Sequence, residues 1–427
     1  MRSREARIIR EQEAIAYLES DAPGELLRKV LAPDGWDLVS WQLGPVHHRP
    51  GAGVTGVFSI VVQPAPGGRR RSASPCVPTH ACITSSARPG SSGRTVLAHR
   101  QGTQEFFVWV HPADPLLPGL PLALDPAGMT RWAFGPQHHP ADTVVELRSY
   151  RPLRRAVVMA RNRDDARYLK VLRRNAAVQL AERHRMLQSA GVPAPVLAGE
   201  PVQDVVAMHA APGTPLAELL MRDGAADVDP EALVQLLRSL PPAVLTLPVR
   251  PPWAARVRDY GEGAVAVLPA EAERIRRLAQ GIDDAVRASE SGPLVPTHGD
   301  FYEGNLLITD GAVSGVLDVD ALGPGRLVDD LACFLGHVAV LPGLHHGYVH
   351  VPQALVRFMR AFDRHVDPAA LRSRAAAVSL TLVAGARSRP GDEGEMTEAL
   401  SRLEVAEQFL AEARALRAGR SGRAGER

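Results

Sequence analysis

The chain has 427 residues, a formal net charge of +2, 45% hydrophobic residues and 5% aromatic residues. That balance fits a helix-rich globular protein of two or three subdomains and gives no bulk electrostatic case for nucleic acid or membrane as a partner. Cys76, Cys82 and Cys333 are too few and too scattered for a disulfide framework or a cysteine zinc site, which points to reduced thiols in a cytoplasmic protein.

Residues 5–32 carry helical periodicity with no apolar signal core. β-rich runs follow at VTGVFSIVV (54–62) and EFFVWV (105–110). Between them, PAPGGRRRSASP and SSARPGSSGR read as surface loops, and the triplet Arg69, Arg70, Arg71 lacks the interleaved aromatics of a nucleic-acid site. HPADPLLPGLPLALDP (111–126) is a proline-punctuated connector. A second β block comprises TVVELRSY (143–150), RRAVVMARN (154–162) and ARYLKVLR (166–173), the last two joined by a hairpin turn at NRDDA. NAAVQLAERHRMLQSAG (175–191) is a helix with a glycine stop, and QDVVAMHAAPGTPL (203–216) is a strand and turn. Helices dominate thereafter, interrupted by NLLIT (305–309) and AVSGVLDVD (312–320). No run approaches a membrane span; AAAVSLTLVAGA (375–386) is too short for one and reads as a buried helix. The order predicts a two-lobed α+β fold with a cleft between lobes. Its parts are an extension or cap-like domain at 1–135, a small β-rich lobe and link at 143–210, a helical lobe at 211–418 and a disordered tail at 419–427.

The stretch THGDFYEGNLL, Thr297 to Leu307, sets several polar groups beside an apolar strand, an arrangement that costs desolvation unless something binds them. Asp300 precedes an irregular five-residue step to Asn305. The chain then turns at TDG and returns through SGVLD, which brings Asp318 near the level of Asn305. A carboxylate and an amide oxygen facing one point are hard ligands suited to Mg²⁺. Asp300, set back along the chain, is placed to take a proton from a substrate hydroxyl. One base and two metal ligands are what phosphoryl transfer from a nucleotide requires.

HGDFYEGNLL, GVLDVDALGPG and DDLA, in that order, resemble the aminoglycoside phosphotransferase and choline kinase-like family. The resemblance covers about residues 145–410 and implies a protein-kinase-like fold that uses ATP and Mg²⁺. Carried over by position, it makes Asp300 the catalytic base, Asn305 and Asp318 the Mg²⁺ ligands, and His298 and Asp330 supports of the loop. Asp320 is an extra acidic position that either reaches a second metal through water or faces solvent. A kinase-like fold also implies a strand lysine, a helical glutamate and a link strand. Lys170 lies among apolar neighbours and is, with Lys29, one of two lysines among 49 basic residues; a lysine suits α/β-phosphates as a mobile point charge. Glu182 is its candidate partner, with Arg183 and Arg185 close by. Backbone groups near Ala207 and Met208 stand where a link would meet adenine, although Met208 reads equally as an ordinary apolar strand residue. The departure is the phosphate loop: no G-x-G-x-x-G is present, and RSYRPLRRAV stands in its place.

The implied activity is ATP-dependent transfer of the γ-phosphate to a hydroxyl of a sugar-like, aminoglycoside-like or other small metabolite. The alternative is a catalytically degenerate, kinase-like nucleotide- or metabolite-binding module. From Gly343 to Arg427, 10 Asp/Glu stand against 13 Arg, a balance that does not favour a polycationic acceptor. HHGYVH (345–350) offers three histidines but no carboxylate partner for zinc, and Trp253 and Asp259 are candidates for the substrate side of the cleft.

Overall fold

Five antiparallel strands, β1 (Trp36–Arg49), β2 (Gly53–Pro64), β3 (Val77–Thr84), β4 (Leu97–Gln101) and β5 (Gln104–Val110), form a first sheet in the order β1-β2-β3-β5-β4. The computed structural model in which they are seen describes residues 2–49, 53–65, 76–86, 96–386 and 393–425. Two units make up the chain, Met1–Ala181 with Leu197–Ala210 and Glu182–Val196 with Ala211–Arg427. The predicted loops at 64–75 and 85–94, with the arginine triplet, fall largely outside the described residues, as do residues 426–427.

In the first unit the period-two alternation of strands sorts side chains onto two faces. Phe58 and Ile60 of β2, Ala81 and Ile83 of β3, and Phe106 and Val108 of β5 pack with Ala14, Leu18, Leu26 and Leu27 of the helices Arg2–Glu19 and Pro23–Leu31. Their neighbours Val57, Cys82 and Trp109 point the other way and meet Tyr150 and Leu153. Those two belong to a second antiparallel sheet, β6 (Thr143–Arg151), β7 (Arg155–Asn162), β8 (Asp165–Val171) and β9 (Val205–His209), in the order β6-β7-β8-β9. The β7–β8 hairpin closes through Arg163 and Asp164, as the sequence suggested, with Asn162 paired to Asp165.

One face of the second sheet carries Ala156, Val158, Leu169, Val171, Val205 and Ala207, and Leu117, Leu120, Met129 and Phe134 cover it. The prolines of 111–126 do break regular structure, leaving only single turns at Leu120–Ala123 and Pro126–Met129. The apolar residues between them nonetheless roof the sheet. The boundary read from sequence near residue 135 therefore falls inside a continuous core.

The second unit is helical around Pro368–Val383, which packs against the helices Leu327–Leu344, Ala272–Arg287, Val257–Val267 and Glu393–Gly425. Asp367 caps its start by accepting from Ala370 N at 2.7 Å. Leu371, Ala375, Ala376, Ala377 and Leu380 are wholly buried, in line with the sequence reading of this stretch. Leu327–Leu344 is long and apolar enough to cross a membrane by length and composition, which corrects the expectation that no run approaches such a span; Asp329 and Asp330 open it and Pro342 lies near its end. Its Leu331, Phe334, Leu335 and Val338 are fully buried within the unit. The last helix runs on to Gly425, through the segment expected to be a disordered tail; alanine and arginine there favour helix, and no proline stops it. Two small ribbons complete the unit. β10 (Thr214–Pro215), β12 (Leu306–Thr309) and β13 (Ala312–Val316) form one, and β11 (Val295–Thr297) with β14 (Gly323–Gly325) the other.

Candidate active site

β11 delivers the chain into the loop that begins at His298. Asp330, in the first turn of Leu327–Leu344 and 2% exposed, accepts from His298 N at 2.7 Å and from Gly299 N at 2.8 Å. Burial pushes its carboxyl up to about 7, opposed by those two amide donors. His298 is 1% exposed; its Nε2 lies 2.9 Å from Leu317 O, and its Nδ1 accepts from Asp300 N at 3.3 Å. These partners assign the proton to Nε2 and make the ring a neutral rivet between the loop and the strand that returns from the hairpin. Gly299 sits at φ +80, where an added Cβ would stand 2.6 Å from Ala321 O. Only glycine fits that corner.

Phe301 is fully buried against Phe334, so the loop is anchored while Asp300 beside it stays half-buried. Asn305 Nδ2 donates to Asp300 O at 3.0 Å, and Asn305 O accepts from Leu317 N at 2.8 Å. The amide is thereby oriented with its nitrogen toward the loop, leaving its oxygen as the end that can meet a cation. Asp318 follows Leu317 in the left-handed region, at φ +55, a conformation that aspartate tolerates better than most residues and that turns its side chain out of the strand alternation. The Tyr302 hydroxyl is pushed up to about 12, first by burial and then by Asp300, Glu303 and Asp318. Asp300 and Asp318 thus both act on the Tyr302 hydroxyl. Among the described residues no three His, Cys, Asp or Glu side chains form a complete metal cage. One carboxylate and one amide oxygen are a partial donor set of the kind Mg²⁺ uses, since it keeps water and phosphate in its remaining positions.

Two residues in this neighbourhood were not singled out from sequence. Glu303 is 5% exposed, and its Oε2 has no hydrogen-bond partner among the described residues. Tyr302 stacks on His337 with ring centroids 4.3 Å apart. Both occupy spacer positions of the motif, where the pattern carries no residue preference. Asp320, left open from sequence, acts together with Glu182 on the buried guanidinium of Arg183, whose Nε lies 3.5 Å from Leu322 O. Arg183 is therefore a structural anchor of the 182–196 segment, and Asp320 is not simply solvent-facing. His345 accepts from Gly347 N and stacks on His346. Asp259 is exposed near Arg256; Trp253 has a buried Nε1 that meets no partner among the described residues.

In the first unit Lys170 lies on β8 between Val157 and Val206 and is 6% exposed. Leu169 and Val171 on either side belong to the core under the connector, so strand alternation turns Lys170 to the opposite face. Glu182 is exposed and belongs to the second unit. On β9, Ala207 is buried and its carbonyl accepts from Ala198 N at 2.8 Å, while Met208 is half-buried.

A family model described as the phosphotransferase enzyme family matches residues 144–365, more than half of the chain. The chain belongs to the phosphotransferase enzyme family. The matched span takes in the second sheet, Lys170, the His298–Asn305 loop, Asp318 and Asp330 in one stretch. Similarity to a curated relative is shorter: this phosphotransferase is 34% identical over 129 residues to a glucosamine kinase of Streptacidiphilus jiangxiensis, a match covering 29% of this chain and 28% of that protein. The chain therefore spans little more than a quarter of that relative's length. Among solved structures it is similar to an ADP-bound aminoglycoside phosphotransferase (12% identity, 64% of this chain and 95% of that one, TM-score 0.41). It is similar also to an ethanolamine kinase of Plasmodium vivax (10% identity, 62% and 83%, TM-score 0.43).

Proposed function

We propose that this phosphotransferase is an ATP- and Mg²⁺-dependent kinase that transfers the γ-phosphate to a hydroxyl of a small, sugar-like molecule. The observation that carries the reading is the set of hydrogen bonds that ties together the backbone segments bearing Asp300, Asn305 and Asp318. Asp330 grips two amides at the start of the loop, His298 ties it to Leu317, and Asn305 closes it on both Asp300 and Leu317. In this proposal Asp300 accepts the proton of the acceptor hydroxyl as that oxygen attacks phosphorus. Asn305 and Asp318 would hold Mg²⁺, which when bound neutralises charge on the phosphates. Lys170 orients the α/β-phosphates, and its burial beside apolar neighbours strengthens its pull on them. The Ala207 carbonyl is already engaged, so a nucleobase at the link would draw on the backbone from Met208 onward.

Family membership supports the transfer chemistry, and the glucosamine kinase similarity supports a sugar-like acceptor over a polycation, as does the excess of arginine over acid from Gly343 onward. A non-catalytic binding module is the second reading, favoured by Leu153, which holds φ +62 in the turn that stands in place of a glycine-rich loop. Calorimetric titration of ATP with and without Mg²⁺ tests the reading. Binding by the wild type should require Mg²⁺, and Asp318→Ala should weaken it by about tenfold or more, the cost of one charge-assisted contact. No binding by the folded wild type would sink the proposal. Binding without turnover over a panel of hydroxyl acceptors would favour the second reading.

A further inference from the structure

We propose that Asp114 and Tyr150 are positioning residues for the nucleotide phosphates: they hold the turn between β6 and β7 in a fixed shape where other kinases use glycines. The inference rests on the kinase reading above and concerns the first unit alone. β6 ends at Arg151 and β7 begins at Arg155, and these two residues pair, leaving a three-residue loop of Pro152, Leu153 and Arg154. Arg154 N closes it on Arg151 O at 3.0 Å. Loops of this length need one residue in the left-handed region, ordinarily glycine. Here it is Leu153, at φ +62, at a cost of about 1–2 kcal/mol.

What offsets that cost lies in the N-terminal part of the unit. The Leu153 side chain is 6% exposed and packs with Val57, Cys82 and Trp109 on the outer face of the first sheet. Its backbone is held on both sides: Leu153 N donates to Asp114 Oδ2 at 2.8 Å, and its carbonyl accepts from Arg173 Nε at 2.6 Å. Asp114 is itself 4% exposed and fixed, with Leu116 N donating to Oδ1 at 2.9 Å and the Tyr150 hydroxyl donating to Oδ2 at 2.8 Å. That hydroxyl accepts in turn from Trp109 Nε1 at 3.2 Å and from the Cys82 thiol at 3.7 Å. A satisfied buried network of this kind rigidifies what it touches. The turn it clamps carries Arg151, Arg154 and Arg155, the side-chain type best matched to phosphate oxygens. In protein kinases the corresponding loop covers the nucleotide phosphates. The first sheet by its packing and the connector by the Asp114 carboxylate would thus supply what glycines supply by their freedom.

The test separates phosphate binding from base binding. Mg·ATP and adenosine, which lacks phosphates, are titrated into the wild type, Tyr150→Phe and Asp114→Asn, with melting temperatures recorded for each. Both folded variants should bind Mg·ATP about tenfold more weakly, the equivalent of one lost buried hydrogen bond, while adenosine affinity stays within about twofold. Equal weakening of both ligands would mean that the network is merely structural and would overturn the proposal. Unchanged Mg·ATP affinity would overturn it as well. Should Asp114→Asn fail to fold, Tyr150→Phe, which removes a single oxygen, decides. A wild type that does not bind Mg·ATP overturns the kinase reading and this inference with it, whereas a wild type that binds Mg·ATP no better than the two folded variants overturns this inference alone.

Discussion

Inside the loop, between the proposed base and the amide ligand, Glu303 keeps a carboxyl whose pKa burial pushes up to about 7. In the unfolded chain the same group ionises near 4.5. Between those values the folded protein holds a proton that the unfolded chain has lost. Glu303 therefore adds stability as pH falls through 7, by about 1.4 kcal/mol per pH unit, and withdraws it as pH rises. Asp330, also raised by burial, contributes with the same sign. Glu303→Gln should remove only its own share, melting higher than the wild type at pH 8 and losing that advantage by pH 5. Parallel melting curves across that range would place the proton elsewhere. Asp300, Asn305 and Asp318 were identifiable in the sequence as candidates because their residue types at that spacing suit phosphoryl transfer, and Asp330 because it stands at the DDLA position of the family resemblance. Glu303 was not: nothing local marks its carboxyl as buried, since its burial arises from residues distant in sequence. The same holds for the His298 tautomer, which the Leu317 carbonyl and the Asp300 amide decide together.

At the scale of elements, alternation and turn chemistry made β2, β5 and the β6–β8 strands readable, and helix periodicity did the same for Ala176–Ser189. β1 escaped notice because register shifts at Leu38/Ser40 and Leu43/Val46 break its alternation. β3 escaped because Pro78 argues against an interior strand. In the structure Pro78 pairs only with Val61, before the point where β5 joins on the other side at Ala81. The loop entering the site depends on a single corner in the same way. Gly299→Ala combines a left-handed φ with a Cβ 2.6 Å from backbone, and should destabilise the protein by roughly 2 kcal/mol or more while displacing the loop. Urea denaturation checks it; an unchanged midpoint would mean that the loop yields at little cost.

For the molecule as a whole, the family match begins at residue 144, yet the core of the matched sheet does not. Leu117, Leu120, Met129 and Phe134 lie outside the match and roof β7, β8 and β9. Burying four such side chains is worth about 6–12 kcal/mol, comparable to the entire stability of a typical domain. A chain starting at residue 136 should thus fail to give folded protein, as judged by cooperative melting and solubility; a cooperative transition near that of the full chain would show the roof to be dispensable. The sequence suggested an appended module because prolines and glycines look like a linker, whereas the packing that makes it integral is tertiary and has no local signature. The scarcity of lysine has a practical side. Lys29 is about half exposed and ion-paired with Glu25 at 2.6 Å, while Lys170 is sheltered on β8. Carbon-13 methylation of amines would therefore yield two ε-amine resonances, one a surface reference and the other an interior reporter, readable without assigning any other part of the spectrum.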